Sequence, residues 1–518
     1  MNSTLTFDPS ASAATQKRVW EFGFNTCHGA LTMRKDLSAQ MAHARNTMGL
    51  RHWRCHGLLD DENGVWSRIW HPENPEKERY QVCFSGLRRI LDNAIEMGLT
   101  PYVELSHMPQ MLALYEDAYM FHYRANTSPP KDPAQWGDLI HEVLRHCVKR
   151  YGIRRVREWW FEVWNEPNLG PNFDAVEAAP GEEAEKTGSQ RPAAFFHGTQ
   201  EDYLRMYGEA ARGIKRIDSD LRVGGPSTAR AEWVGDFLEA CKQRGMPVDF
   251  VGTHHYATDN CFEGTEYENA AREVKIKAPR WAKGIDHVTQ VIKGVRNEID
   301  AIYPGLPLIW SEWNLNVGWP WQQRDRANNA AHVMGVCAAL EKYADGQLFW
   351  NLSDIWEEPD LHFEPFSGQM GMITVDGIPK ASARAFELMH HLETGPLAVE
   401  GLPENPRHGC LAAASPDGRR VTLALWNEVE HAKPDEPWSL ELRPTGLPFS
   451  QASLTRIAPG QGSPFEKWQE MGEPANLDDA GLAELRAASE LRAETLPLPS
   501  GTTLEIPPGT AAFLVLER

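Results

Sequence analysis

The amino-acid sequence predicts an α/β fold, a (β/α)8 TIM barrel followed by a C-terminal β-sandwich. From about residue 20 to about 392, short apolar runs alternate with longer amphipathic stretches, which is the pattern of successive βα units. After about residue 395 the runs are short, Pro and Gly separate them, and the alternation stops. The chain of 518 residues also exceeds what one core usually organises, so a large and a small domain are expected.

The barrel strands are predicted from eight short apolar runs that recur along the chain. They cover residues 21–28, 51–57, 100–107, 159–166, 222–228, 249–256, 306–313 and 347–354. Helical patterns lie between them, for example at 203–217 and 326–343. A barrel of this kind carries its functional residues at the carboxyl ends of the strands, so we expect the site there.

The predicted domain limits are 15–394 for the barrel and 395–518 for the sandwich. Short runs at 420–426 and 511–516 are candidate strands of the sandwich. Residues 3–7 also alternate, so the segment 1–14 is a candidate for one more strand of that domain. The stretch 169–194 is long for a βα loop, which is typical of a functional or disordered segment, and its role stays open.

Composition excludes some classes of partner. With 52 Lys and Arg against 72 Asp and Glu, the formal charge of −20 repels nucleic acid and anionic lipid. The 8 Cys residues are scattered and are expected to be reduced, mostly buried thiols. The sequence shows no signal peptide and no membrane span, which predicts a cytoplasmic protein. The 19 Trp residues favour sugar binding only weakly, because most Trp packs in cores.

Two glutamates at strand ends predict the chemistry. Glu166 ends the fourth candidate strand in the sequence WNEPN, and Glu312 ends the seventh in IWSEW. Hydrolysis of a glycosidic bond with retention needs one protonated and one ionised carboxyl group about 5 to 5.5 Å apart, which two barrel strands can supply. An arbitrary Glu is more often a solvated loop carboxylate or an ion-pair member. Both of these close apolar strands and are flanked by Trp, so we interpret them as catalytic.

The stretch 161–168, FEVWNEPN, resembles the acid/base signature of glycoside hydrolase family 39, which groups β-xylosidases with α-L-iduronidases. The similarity continues at 54–58, 254, 256, 350–358 and 377–380, over essentially the whole barrel. The resemblance implies that Glu166 is the acid/base, Glu312 the nucleophile and Asn165 a donor to the hydroxyl next to the anomeric carbon. It implies that the sugar pocket is lined by His56, His254, Tyr256, Trp350, Glu357 and Glu358.

Strand geometry adds three expectations. Neighbouring side chains point to opposite sides of a strand, so only one of His254 and His255 should face the interior, and the resemblance favours His254. Asn165 and Glu166 are also neighbours, so a bulge or the end of regular strand geometry is expected there. The charge on Glu312 should raise the pKa of Glu166. The sequence departs from the family at 169–194, at His197 and at 366–371, which bears on specificity.

The resulting hypothesis is a retaining, exo-acting β-xylosidase that cleaves short β-1,4-xylo-oligosaccharides without a metal or organic cofactor. Action on β-glucosides, α-L-arabinosides or α-L-iduronides is the alternative within the class. Iduronide ranks lowest, because we identify no Arg or Lys at the strand ends for the sugar carboxylate. A metal-dependent hydrolase using His254 and His255, or a non-catalytic sugar-binding protein, is the alternative outside it. The first-subsite sugar, the number of subsites and the oligomeric state stay open.

Overall fold

The computed structural model describes most of the chain. The described residues are 2–11, 16–69, 79–171, 191–257, 266–269, 272–275, 287–315, 322–358, 364–404, 407–429, 436–446, 448–497 and 503–518. Most of the long loop at 169–194 therefore lies outside the described residues.

Eight parallel strands close into a barrel, paired in sequence order. The strands are Gly23–His28, His52–His56, Thr100–Leu105, Trp160–Val163, Arg222–Thr228, Phe250–His254, Leu308–Trp313 and Gly346–Phe349. Each coincides with one of the predicted apolar runs, so the predicted barrel is confirmed. The predicted bounds overrun the carboxyl ends of several strands, because the chain leaves the sheet there to form the site.

A helix follows each strand and covers the outside of the barrel. The eight helices are Lys35–Thr47, Ser85–Glu96, Pro133–Tyr151, Gln200–Lys215, Val234–Arg244, His287–Ile302, Asn328–Tyr343 and Ala381–His390. Their starts follow from local sequence. Asp132 caps the third helix by accepting from the Ala134 N–H, with Pro133 at the first helical position, and Thr199 and Asp202 form a capping box on the fourth.

The barrel interior changes in character from bottom to top. At the amino-terminal end it is filled by an apolar plug of Phe22, Tyr102, Trp160, Phe250, Ile309 and Leu348. Above the plug lies a buried ionic layer, formed around Arg54, Glu104 and Glu162. Gly252 lines this layer, and a Cβ there would come within 2.4 Å of a Glu162 oxygen, so glycine makes room for the carboxylate. The candidate site opens above the ionic layer.

The C-terminal sandwich consists of two sheets over an apolar core. The larger sheet contains Gly395–Leu397, His408–Ala414, Arg420–Asn427, Gln451–Ile457, Ala493–Leu496 and Thr510–Glu517. The smaller contains Asn2–Phe7, Trp438–Pro444 and Thr503–Ile506, with Asn2–Phe7 parallel to Trp438–Pro444. Two helices, Phe465–Glu470 and Asp479–Ser489, follow the strand Gln451–Ile457 in the chain and precede Ala493–Leu496. They were not predicted.

The sandwich packs against the barrel through a shared apolar core. Trp426, Ala511 and Phe513 belong to the same buried cluster as the barrel helices. His332 on the seventh barrel helix also contacts Glu428 of the sandwich, with Nδ1 2.7 Å from the carboxylate. The two domains therefore form one continuous packed body.

The sequence also predicted reduced, mostly buried thiols and no membrane-spanning segment. The seven cysteines in the described part of the chain are free thiols, and five are buried. Every helix of that part is too short or too polar to cross a lipid bilayer.

Candidate active site

The fourth and seventh barrel strands bring Glu166 and Glu312 together. An oxygen of Glu166, an oxygen of Glu312 and a ring nitrogen of His254 all lie within 4.8 Å of one another. Both carboxyl groups are nearly buried, with 6% and 5% of each residue exposed. The two sequence-predicted glutamates therefore face one small space at the top of the barrel.

A sharp turn brings both Asn165 and Glu166 to this space. The fourth strand ends at Val163, and both Trp164 and Glu166 have positive φ, at 72° and 47°. This left-handed backbone costs roughly 1–2 kcal/mol per non-glycine residue. The Glu166 N–H donates to the Ser227 carbonyl at 2.9 Å, and the Trp164 indole donates to the Phe195 carbonyl at 3.0 Å. These bonds hold the turn. Because regular strand geometry has ended before it, the neighbouring side chains of Asn165 and Glu166 can both face this space.

Glu166 lies where its neutral form is favoured. Burial raises the pKa of Glu166 to about 8, against a partial opposing effect of Arg54 and Arg230. Its described hydrogen-bond partner is His254, whose Nδ1 lies 3.0 Å from Oε1. The predicted direction agrees with this result, but the largest cause is burial rather than the charge on Glu312. A carboxyl group of this kind can carry a proton near neutral pH.

Glu312 has more partners that favour its ionised form. The Tyr256 hydroxyl donates to Oε1 at 2.5 Å, and the Arg54 guanidinium lies 3.4 Å from Oε2. Burial still raises the pKa of Glu312, to about 7, because His254, Arg54 and Tyr256 offset desolvation only in part. Glu312 therefore has a hydroxyl donor and a cation that favour its carboxylate form.

Arg54, within the second strand, is a buried cation of the site. Its short contacts go to protein groups, so the prediction that the strand ends offer no Arg or Lys for a sugar carboxylate stays a prediction. The Arg54 guanidinium is fully buried and lies 2.6 Å from both Glu104 and Glu162. It also donates to the Asn165 side-chain oxygen at 2.9 Å, which leaves the Asn165 amide as the donor end. A charge inside an apolar strand, as in Trp53-Arg54-Cys55, was the available signal for this ionic layer.

His56, Trp350 and Glu358 lie together on one wall. His56 Nδ1 is 2.7 Å from a Glu104 oxygen, and its ring centroid is 4.7 Å from that of Trp350. His56 Nε2 lies 3.6 Å from Glu358 Oε1, a buried atom with no hydrogen-bond partner among the described residues. Burial, with the charges of Glu312 and Glu166, raises the pKa of Glu358 well above its ordinary value.

Both carboxylate oxygens of Glu357 contact histidine side chains. Its Oε1 lies 2.8 Å from His28 Nε2 and its Oε2 lies 3.3 Å from His122 Nδ1. The two adjacent glutamates therefore belong to different contacts, Glu358 beside Glu312 and Glu357 within a histidine cluster. His28 and His122 were not singled out from the sequence.

The two adjacent histidines separate as strand geometry requires. His254 lies beside the glutamates, whereas His255 is buried near His287 and Trp310. A metal ion held by both His254 and His255 is therefore not favoured by the geometry. Glu166, His254 and Glu312 are, within the described ranges, a buried set whose spacing would admit a metal ion.

Two segments predicted from the sequence to differ from the family contact neighbouring loops and the second domain. His197 bonds Thr127 and the Pro192 carbonyl, at 2.9 Å each, and thereby joins two loops. The segment 366–371 runs behind the eighth strand, where the Met370 carbonyl accepts from the Asn351 N–H at 3.2 Å. Phe366 packs on Trp468 of the sandwich, so this segment also contacts the second domain.

The comparisons with known proteins agree with this geometry. The profile described as glycosyl hydrolases family 39 matches residues 5–183 and 191–503. A β-xylosidase of Caldicellulosiruptor saccharolyticus is 32% identical over 92% of this chain and 89% of its own length. A β-xylosidase of Geobacillus stearothermophilus is 30% identical over 94% and 88%. A family 39 β-xylosidase structure from Caulobacter crescentus superposes with a TM-score of 0.80 at 26% identity, covering 99% of this chain and 100% of that one.

Proposed function

The chain belongs to family 39 of the glycosyl hydrolases, and from this premise we propose that it is a retaining, exo-acting β-xylosidase. The proposed reaction releases xylose from the non-reducing end of short β-1,4-xylo-oligosaccharides. The relatives at 32% and 30% identity that carry the name β-xylosidase support the choice of sugar. Exo action is proposed with the sugar, and the deep burial of both glutamates is consistent with a closed site rather than an open groove.

The observation that carries the proposal is the short separation of Glu166 and Glu312. Retaining glycosidases hold their two carboxyl groups about 5 to 5.5 Å apart, and inverting ones about 6.5 to 9.5 Å apart to admit a water. Oxygens of the two residues lie within 4.8 Å here. This distance supports direct attack by one carboxylate rather than attack by a water between the two.

In the proposed first step, Glu312 is the nucleophile and Glu166 the acid. A Glu312 oxygen bonds to the anomeric carbon as the bond to the leaving oxygen breaks, and Glu166 gives its proton to that oxygen. In the second step, Glu166 takes a proton from water, whose oxygen displaces Glu312 from the anomeric carbon. The Tyr256 hydroxyl and the Arg54 guanidinium beside Glu312 favour its carboxylate form, and burial raises the pKa of Glu166, which supports these roles.

The remaining predicted residues are proposed to bind the sugar. Asn165 would donate to the hydroxyl next to the anomeric carbon, because its oxygen is already taken by Arg54. His254 Nε2 and Glu358 Oε1 are buried atoms without hydrogen-bond partners in the described part, so sugar hydroxyls would complete them. We also keep His56, Tyr256, Trp350 and Glu357 as proposed pocket residues.

The proposed chemistry uses only side chains and water. Metal analysis of the purified protein tests this, since stoichiometric zinc with activity lost to a chelator would favour a metal-dependent hydrolase instead. The cytoplasmic location stays a prediction from the sequence, and cell fractionation would test it.

Replacement of Glu312 tests the assignment of roles. Glu312→Ala should lower kcat for an aryl β-xyloside by roughly 10⁴-fold or more. Azide should restore turnover and give the α-xylosyl azide, with inverted configuration, by occupying the vacated space. Azide with Glu166→Ala should instead give the β-xylosyl azide. Glu158→Ala, an exposed Glu at the opposite end of the fourth strand, is the matched control and should keep full activity.

The opposite pattern of azide products would mean that the two roles are exchanged. A panel of aryl glycosides tests the sugar, and the β-xyloside should give the highest kcat/KM. A clear preference for the glucoside, arabinoside or iduronide would replace the proposed substrate.

A further inference from the structure

His28 lies at the end of the first barrel strand, outside the set of residues used above. Its side chain is 3% exposed, and both ring nitrogens contact carboxylates. Nδ1 is 2.8 Å from Glu62 Oε1, and Nε2 is 2.8 Å from Glu357 Oε1. A carboxylate can only accept, so both nitrogens carry hydrogen and the ring is an imidazolium.

The partners of His28 come from loops after three other strands. Glu62 follows the second strand and Glu357 follows the eighth. The loop after the third strand contributes Tyr123, which stacks on His28 with centroids 3.9 Å apart, and His122, which contacts the other Glu357 oxygen at 3.3 Å. We call these five residues the histidine cluster. A charged ring at its centre ties together one side of the pocket.

The histidine cluster is connected to the pocket through the backbone. The His122 N–H donates to the Glu358 carbonyl at 3.0 Å, so the same loop holds both Glu357 and Glu358. Glu358 in turn lies beside His56, with its Oε1 buried and open to a partner. A shift of the Glu357 carboxylate would move the next residue along the chain, which is the one facing the sugar space.

We propose that His28 is a positioning residue, which as an imidazolium holds Glu357 and thereby sets Glu358 against the sugar, and that loss of its second ring proton at alkaline pH weakens substrate binding. The inference rests on the proposed function, since it assigns a role within the same pocket. His28 is not expected to touch the reacting atoms.

The groups facing His28 support a transition on the alkaline side. Burial opposes the charged ring, but the bonds to Glu357 and Glu62 raise the pKa of His28 to about 9. Burial also opposes the charge on Glu357, yet His28 and His122 hold the pKa of Glu357 below its ordinary value. Burial keeps the neighbouring Tyr123 and Cys27 neutral, with each pKa raised well above its ordinary value. The bridge is therefore present below about pH 9 and lost above it.

The first experiment separates His28 from Glu166, which also titrates on the alkaline side. Glu166→Ala and wild-type protein are compared on 2,4-dinitrophenyl β-xyloside, whose leaving group needs no proton. In Glu166→Ala the pH dependence of kcat/KM should still show a fall centred near pH 9, mainly through a rise in KM. A profile that stays flat to pH 10.5 would overturn the inference.

The second experiment assigns that fall to His28 through a double-mutant cycle. His28→Gln should lower kcat/KM below pH 9 by roughly 10-fold to 100-fold, the loss of a charged hydrogen bond, and should remove the fall near pH 9. Adding Glu357→Gln to His28→Gln should cost little more than either change alone. The exposed partner is removed by Glu62→Gln, which should reduce kcat/KM less than His28→Gln does.

Additive losses in the cycle, or an unchanged fall near pH 9 in His28→Gln, would contradict a role through Glu357. If His28→Gln does not fold, by thermal unfolding, Glu62→Gln in the Glu166→Ala background decides the question, because removal of one carboxylate should move the fall to lower pH. Failure of the proposed function looks different, because wild-type protein would then not turn over the xyloside at any pH.

Discussion

Two groups of buried carboxylates lie one above the other in the barrel. The surroundings lower the pKa of Glu104 in the lower group and raise those of Glu166 and Glu312 in the upper group. In the ionic layer, Glu104 and Glu162 each lie 2.6 Å from Arg54. Burial alone would raise the pKa of Glu104, but Arg54 and His56 hold it at about 2. In the pocket above, Glu166 and Glu312 are similarly buried, yet their pKa values are raised, to about 8 and about 7.

The difference shows that burial does not decide the charge of a carboxyl group in this barrel. The short contacts of Arg54 go to the ionic layer, and Glu312 receives a longer one of 3.4 Å. The pocket glutamates are left with His254 and Tyr256 as closer partners. One cation therefore stabilises the lower carboxylates firmly and leaves the upper pair able to exchange protons near neutral pH.

Removal of the cation is the largest test of this comparison. Arg54→Met would leave Glu104 and Glu162 buried without their partner, so the free energy of unfolding should fall by roughly 3–5 kcal/mol. Urea denaturation at pH 7 measures this change. The matched control is Arg443→Met, which breaks an exposed pair with Glu441 at 2.9 Å and should change the free energy of unfolding by about 0.5 kcal/mol or less. Equal losses for the two variants would mean that burial of the pair is not what matters.

Glu166, one of the upper pair, should make the free energy of unfolding fall as the pH rises. Glutamate ionises near pH 4.5 when unfolded, whereas the pKa of Glu166 is about 8 in the fold. Its contribution to stability is therefore fully present below about pH 4.5 and is lost as the pH rises through about 8. In Glu166→Gln this loss should disappear, so the variant should gain on wild-type protein by up to about 1.4 kcal/mol per pH unit.

Urea denaturation at several pH values between 5 and 9 would measure this gain. Glu158→Gln, at an exposed residue just before the fourth strand, should run parallel to the wild-type protein. Parallel curves for Glu166→Gln as well would show that Glu166 is ionised in the folded protein at neutral pH.

The sequence was sufficient for the barrel and for the close approach of Glu166 to Glu312, because both leave local signals. Apolar runs mark the strands, and Glu166 and Glu312 lie at or just beyond the carboxyl ends of two of them. The ends of strands were less predictable, since the left-handed residues Trp164 and Glu166 have no glycine or asparagine to signal the turn. The pattern at 159–166 therefore overran Val163, where the strand ends.

Which buried side chains pair with one another could not be predicted from the sequence. The charge in Trp53-Arg54-Cys55 shows that a buried partner is needed, but the fold decides that Glu104 and Glu162 supply it. In the same way, adjacent Glu357 and Glu358 look equivalent as sequence. Only the meeting of three loops with the end of the first strand assigns Glu357 to the histidine cluster and leaves Glu358 beside His56.

A smaller change sharpens the comparison at a single hydrogen bond. The Tyr256 hydroxyl donates to Glu312 at 2.5 Å and favours the ionised form. Hydrogen bonds to charged groups contribute about 1.5–3 kcal/mol, so Tyr256→Phe should raise the pKa of Glu312 by about 1–2 units. The acid limb of the pH profile of kcat/KM on an aryl β-xyloside should move to higher pH by the same amount. At pH values above this limb, kcat/KM should be reduced less. Tyr203→Phe removes a buried hydroxyl that donates to the Val163 carbonyl at 3.2 Å and should leave the limb in place. If the acid limb stays in place in Tyr256→Phe, then Arg54 and His254, rather than Tyr256, stabilise the charge of Glu312. Arg54 would then stabilise carboxylates in both layers.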